Sequence, residues 1–333
     1  MIDNPSAADD SPEVQRTYQV REVVDTPRAN PEENEDMLLV RKSEDGGVTA
    51  LILDGATGVG DVVAPYKNRM AATLAVPHVS GGRFASFIVR QKIEHLLEQG
   101  AQFSPRELLL RGAEALRQRL QSMGVQEGHF TQVASTLGAL ADLDASGVMR
   151  WACIRADVSV LVMHRDGVWD WHPTDHPLDY HEGKALAVAL RNHPSDISHS
   201  LTKDAEVQDY INRTNRGGEN VNTYGSLNGA EREAMEKWIA EGETQLQPGD
   251  IVYLFTDGFL PEKPRRAYES ETAFDDEQRL QRVRVVEALR KEGAEGLLRF
   301  VRTQQQSDPT CSLYPRFKAV GDDATLVEIR VKH

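Results

Sequence analysis

The stretch LILDGATG, Leu51 to Gly58, runs from three large apolar residues straight into an acid, and then into glycines and a threonine with no polar lead-in. An apolar run stopped by glycine reads as a strand end. Asp-Gly alone is a common turn pair, because Gly accepts positive φ without steric cost and Asp bonds its own backbone locally. A second copy makes the plain turn a weaker account: IVYLFTDGF, residues 251–259, is another apolar β-type run ending in Asp257-Gly258. Two strands that each deliver an aspartate at their far end ask for a shared reason.

Working outward, MLLVRK (37–42) and VTALILDG (48–55), separated by Asp45-Gly46-Gly47, form a strand, turn and strand signal. FASFIVRQKIEHLLEQG and SPRELLLRGAEALRQRL carry apolar residues at helical spacing. The first stops at Gly100 and the second opens on Ser104-Pro105, a start of the N-cap type. From Gln132 to His172 short β-rich runs are punctuated at Ser146-Gly147 and Asp166-Gly167, which predicts an antiparallel meander of four strands. Residues 173–246 are polar and Asn/Gly-rich, with one helical patch at GAEREAMEKWIAEG, and read as a long, flap-like excursion. A helical stretch follows from Asp276, and GDDATLVEIRVK closes the chain as a strand introduced by acids. Residues 1–14 are small, acidic and Pro-containing and read as a disordered lead-in; residues 15–333 show neither repeats nor a linker and read as one domain.

Composition bounds the function. At 333 residues, 40% hydrophobic and 27% charged, the chain can bury a sizeable core. A net charge of -14 disfavours nonspecific attraction to nucleic acid or to an anionic membrane. No apolar run approaches the roughly 20 residues of a membrane helix, and the N-terminal stretch lacks the basic and apolar regions of a signal peptide, so the expectation is a cytoplasmic protein. Cys153 and Cys311 alone make neither a disulfide framework nor a thiolate zinc site.

The acids are the informative part. Asn34-Glu35-Asp36 precedes one strand, Asp54 ends another, Asp157 lies inside the apolar run RADVSVLVM, Asp257 ends a third strand, and Asp322-Asp323 begins the last. Packed carboxylates repel and are costly to desolvate unless something positive joins them. Mg2+ and Mn2+, which favour carboxylates, backbone carbonyls and water, are the partners such a set would take. His164, His172, His176 and His181 crowd one region but lack the tight spacing of a zinc site. GATGVG lacks the Lys-Ser/Thr ending of a nucleotide-binding P-loop.

Taken in order, NED (34–36), LDG (53–55), ASTLGALAD (134–142), RADVSVLVMHRDGVWDWHPTDH (155–176), PGDIVYLFTDG (248–258) and DDATLV (322–327) resemble the metal-dependent protein phosphatases, the type 2C serine/threonine phosphatase family, in a form like its bacterial members. The resemblance runs from about residue 17 onward. It implies an α+β fold, a four-layer αββα sandwich of two antiparallel β-sheets flanked by helices, with a binuclear site for two Mn2+ or Mg2+ ions at one end. Asp54 would bridge both ions and the Gly55 carbonyl would help hold one, a close approach that a residue without Cβ permits. Asp257 and Asp322 would hold the other. Asp36, with Glu35 as its understudy, would act through a metal-bound water, Asp157 matches the position of a third, weaker metal, and Asp323 would support the set. The implied reaction is direct attack on the phosphoryl group by a water or hydroxide bridging metals about 3.5 to 4 Å apart, without a phosphoenzyme. Substrates would be phosphoserine and phosphothreonine proteins, selected through residues 173–246, with a cognate kinase as a further partner, and the chain would act as a monomer.

Departures from the family pattern mark where it is reshaped. Ala56 stands where some members carry a proton-donating His, which leaves a metal-bound water as the acid. Asp54-Gly55-Ala56-Thr57-Gly58 keeps only the later glycine of the usual loop. Ala156-Asp157-Val158-Ser159 replaces the usual Gly-Asp-Ser-Arg, and Arg28 is the nearest match to the phosphate-clamping arginine, at an enlarged spacing. The competing expectation is a weakly active or inactive phosphatase-fold module that docks a kinase or another partner.

Overall fold

The structure, a computed structural model, describes residues 16–26, 34–56, 63–173, 226–316 and 321–332. The lead-in 1–14, Arg28, Thr57-Gly58, and most of the excursion, with His176 and His181, lie outside them. The strands are β1 (Thr17–Asp25), β2 (Met37–Lys42), β3 (Val48–Ala56), β4 (Ser135–Leu143), β5 (Val148–Ile154), β6 (Val158–Met163), β7 (Trp169–His172), β8 (Ile239–Gln245), β9 (Ile251–Thr256) and β10 (Ala324–Lys332). The helices are α1 (Lys67–Leu74), α2 (Gly81–Glu98), α3 (Pro105–Ser122), α4 (Phe130–Val133), α5 (Arg232–Glu236) and α6 (Glu271–Ser307). The strands form two five-stranded sheets, β1-β10-β9-β6-β7 and β2-β3-β4-β5-β8, antiparallel throughout.

The alternation along the strands of the first sheet explains the layering. In β9, Val252 and Leu254 enter the core shared with Leu51, Leu53 and Leu140, whereas Tyr253 and Phe255 enter a second core with Val285, Leu289, Leu297 and Val301 of α6. β6 does the same with Val160 and Val162 on one face and Leu161 and Met163 on the other. A strand with both faces buried reads as a nearly continuous apolar run, as these do. On the other sheet α2 and α3 contribute Phe84, Ile93, Leu109 and Leu116 to the core. The order is therefore helix, sheet, sheet, helix, an α+β sandwich of four layers. No helix among the described residues is long and apolar enough to cross a membrane.

Local signals hold where they are strong. Ser80 and Ser104 cap α2 and α3, accepting from the backbone N–H of Arg83 and Glu107. Gly100 follows α2 at φ 70°. Two expectations need correction. The four strands of 132–172 are not one meander: β4 and β5 belong to one sheet and β6 and β7 to the other, with the chain crossing between layers in the bend at residues 155–157. Asp157 thus stands in the crossover, one residue before β6. The helical patch is helical only over Arg232–Glu236; from Ile239 the chain is the edge strand β8, paired with β5. α6 is two helical pieces meeting at Gly293, whose φ 71° and ψ -169° break the helix.

Candidate metal centre

Strand register brings the acids to one end of the sandwich. Met37 pairs with Leu53, so Asp36 and Asp54 stand just beyond that pair on adjacent strands. Val158 pairs with Thr256, which sets Asp157 beside Asp257, and Leu326 pairs with Phe255, which brings Asp322-Asp323 to the same end. Asp36 and Asp54 come from one sheet; Asp157, Asp257 and Asp322 come from the other.

Hydrogen bonds tie the two halves together. The Thr256 hydroxyl donates to Asp36 Oδ2 at 2.9 Å, across the sheets, and accepts from the Thr325 N–H at 3.0 Å. The Glu35 N–H donates to Asp323 Oδ2 at 3.0 Å, again joining the sheets. Asp36 takes its own place through the Asn34 side chain, which accepts from the Asp36 N–H at 2.7 Å. The Thr136 hydroxyl donates to the Asp54 carbonyl at 2.8 Å and lies 2.8 Å from the Ser86 hydroxyl. Arg302 Nη2 donates to the Asp322 carbonyl at 2.7 Å, and Arg83 Nη1 to the Asn34 carbonyl at 3.3 Å.

The glycines of the two Asp-Gly pairs fit for reasons of space. A Cβ on Gly55 would lie 2.6 Å from the Glu35 carbonyl oxygen and 2.7 Å from the Gly82 carbonyl carbon. A Cβ on Gly258 would lie 1.9 Å from the Asp323 carbonyl oxygen. Each glycine lets its strand end press against a neighbouring segment of the site: Gly55 against Glu35 and the start of α2, Gly258 against Asp323. Neither has the positive φ of a turn glycine.

Electrostatics register the crowding. Burial, and then the charges of Asp36, Asp257, Asp322 and Asp157, push the Asp54 carboxyl well above the usual carboxylate range. Burial and the Asp322 charge raise Asp36 to about 8 against the pull of Thr256. Asp36 is buried, while Asp54, Asp157, Asp257 and Asp322 keep part of their surface open to solvent. The set therefore faces outward from a buried floor. Among the described residues no group of three or more His, Cys, Asp or Glu side chains is gathered as closely as around a bound ion. The aspartates feel one another's charge without forming a finished chelate.

The donor chemistry nevertheless fits Mg2+ or Mn2+. Every candidate ligand is oxygen, in carboxylates backed by Thr hydroxyls, with no imidazole or thiolate among them. His164 is engaged elsewhere, between Asp250 (3.2 Å) and Asp170 (2.9 Å), and His172 stacks on Trp151 with centroids 4.1 Å apart. Cys153 and Cys311 are buried free thiols.

Sequence reasoning did not single out Thr256, Thr136, Ser86 or Arg83. The available signal was a hydroxyl inside an otherwise apolar run, as in YLFTDG and ASTLGALA: a buried polar side chain needs a partner, and a backbone carbonyl or a carboxylate supplies it.

No protein-family model matches the chain, and no curated protein sequence matches it. The structure is similar to solved structures, among them two described as serine/threonine phosphatases. One is PppA, described as a key regulatory component of T6SS in Pseudomonas aeruginosa, at 16% identity over 95% of this chain and 99% of that one, with a TM-score of 0.48. A second is the catalytic domain of the serine threonine protein phosphatase PstP in complex with two manganese ions, at 16% identity over 96% and 99% of the chains and a TM-score of 0.46. A third is the serine/threonine phosphatase of S. agalactiae, at 14% identity over 95% and 100% and a TM-score of 0.45.

Proposed function

We propose that the chain is a serine/threonine phosphoprotein phosphatase that works with two Mn2+ or Mg2+ ions, held by Asp36, Asp54, the Gly55 carbonyl, Asp257 and Asp322, with Asp157 beside a third. The observation that carries this reading is the strand register, which brings Asp36 and Asp54 from one sheet and Asp157, Asp257 and Asp322 from the other to one end of the sandwich. Like charges gathered at one end of a fold destabilise it unless a cation offsets them. When bound, the ions supply Lewis acidity toward phosphoryl oxygens and make water a better nucleophile.

The chain's own residues supply position. Thr256 orients Asp36 through Oδ2. Thr136 holds the Asp54 carbonyl, fixing the peptide that leads into Gly55. The partly open faces of Asp54 and Asp257 leave room for a phosphoryl group to approach from solvent. Arg28, outside the described residues, is the proposed phosphate clamp. With Ala56 in place of a donor side chain, the leaving seryl or threonyl oxygen takes its proton from water. Cytoplasmic action as a monomer belongs to the same reading, as does a single phosphatase domain over 15–333.

Hydrolysis of p-nitrophenyl phosphate with and without Mn2+ tests it. Activity should need the ion and fall by about a hundredfold or more in Asp54→Asn and Asp257→Asn, on the scale of losing a transition-state contact. Mn2+ should also raise the melting temperature of the wild type and do so far less in Asp54→Asn, because only a folded site gains from the ligand. Metal-independent turnover, or full activity in both variants, would sink the proposal. The departures at Ala56 and Val158 favour a second reading, a phosphatase-fold module that docks a kinase or another partner. Stabilisation by Mn2+ without hydrolysis of any phosphopeptide would select it.

A further inference from the structure

Outside the aspartate set, the segment that follows β9, the α6 helix and residues 312–314 line an open pocket of about 710 Å3. Among the described residues three arginines line it, Arg265, Arg266 and Arg284, against a single acid, Glu277. Glu277 is buried and is shared: Arg284 Nη1 lies 2.6 Å from its Oε1, and Arg266 Nη2 lies 3.9 Å from its Oε2. The Arg265 backbone N–H donates to the Leu313 carbonyl at 2.7 Å. Among the described residues the buried Arg265 Nε has no hydrogen-bond partner. In a chain of net charge -14, three cations facing one anion are a local inversion of sign.

The rest of the wall is apolar and hydroxylated. Phe300 and Leu313 are 43% and 61% exposed, large apolar groups that the fold itself does not cover. Thr303, Ser312 and Tyr314 stand with them. The wall is also preformed: the buried Asp308 carboxylate accepts from the N–H groups of Ser312, Leu313 and Tyr314 at 3.0, 3.0 and 2.8 Å. A preformed cavity of this size, part apolar with a few convergent polar groups, has the dimensions of a small-ligand site.

We propose that this cavity binds a small organic phosphate, its phosphoryl group held by Arg265, Arg266 and Arg284 and its apolar body laid on Phe300 and Leu313. Guanidinium forks match a phosphoryl group with paired N–H donors. The choice of phosphate over carboxylate follows from charge, because the excess of two cations over Glu277 complements a dianion better than a monoanion. No residue of the cavity belongs to the aspartate set, so the inference stands apart from the phosphatase reading.

The test is calorimetric titration of the full chain, free of divalent ions, with phenylphosphonate, which carries a phosphoryl-like dianion on an aryl body and is not hydrolysed. Saturable binding is expected, tighter than for inorganic phosphate or benzoate. Arg265→Gln and Thr303→Glu should each weaken it at least tenfold, and Asp257→Asn should leave it unchanged. Thr303 is an exposed helix position whose hydroxyl donates to the Arg299 carbonyl, so this variant tests the site while leaving all three arginines and Glu277 in place. No saturable binding, equal binding of benzoate, unchanged binding in the two cavity variants, or loss in Asp257→Asn would each overturn the proposal.

Discussion

Asp-Gly occurs in two settings in this molecule. At Asp45-Gly46 and Asp166-Gly167 the pair closes a hairpin, with the glycines at φ 91° and the aspartates accepting from the N–H groups of Gly47 and Val168. At Asp54-Gly55 and Asp257-Gly258 the same dipeptide ends a strand at the aspartate site, and its glycine is there because a Cβ would strike a neighbouring backbone. The hairpin glycines supply a conformation and the site glycines supply room. The difference teaches that a dipeptide's meaning is set by what lies across from it, which local sequence does not contain.

Substitution should separate the two kinds. Gly258→Ala drives a methyl group to 1.9 Å from the Asp323 carbonyl oxygen, a rigid backbone target. It should cost about 3 kcal/mol or more in urea unfolding and abolish Mn2+-dependent hydrolysis, as overpacking does when nothing can yield. Gly55→Ala meets the Glu35 carbonyl at 2.6 Å and should cost about 2 kcal/mol with a comparable loss of activity. Gly167→Ala meets only the end of the Arg290 side chain, at 3.8 Å, and is strained by its φ alone. It should cost about 1 kcal/mol in unfolding and leave hydrolysis intact. Equal activity losses at Gly167 and Gly55 would erase the distinction.

The smallest effect lies at the base of the Asp166-Gly167 hairpin. Burial lowers His164, but its bonds to Asp170 and Asp250 outweigh that and raise its pKa above the usual 6.5. The imidazolium therefore adds stability that is fully present below about pH 6.5 and is lost as the pH rises through the higher folded value. His164→Gln should destabilise the chain at about pH 5.5 by a few tenths of a kcal/mol after screening, with the gap closing by about pH 8.5 in paired urea titrations. A gap that widens with pH would reverse the assignment.

Much of this was legible in the sequence where one local rule dominates. β2 and β3 follow from alternation around a turn, α2 from apolar spacing that stops at Gly100, and α3 from apolar spacing behind the capping Ser104. The acids that converge were marked by their repeated place at strand ends. What was not legible depended on partners. β6 and β7 look like continuations of β4 and β5 because the crossover at residues 155–157 is short and the runs on both sides are apolar. β8 reads as helix because Ala, Met and Glu surround it, and only pairing with β5 makes it a strand, a tertiary override of propensity. Thr256 and Thr136 were invisible as functional groups because a single hydroxyl in an apolar run does not say which carboxylate or carbonyl will face it.

β10 follows every other strand in chain order yet lies inside its sheet, between β1 and β9, with Thr17 opposite Lys332. Pairings of such long sequence separation close late, because the loop entropy must be met before the contacts reward it. During synthesis Asp157 and Asp257 would wait for Asp322 and its strand, so a nascent chain would not gather the aspartates of the proposed centre until β10 emerged.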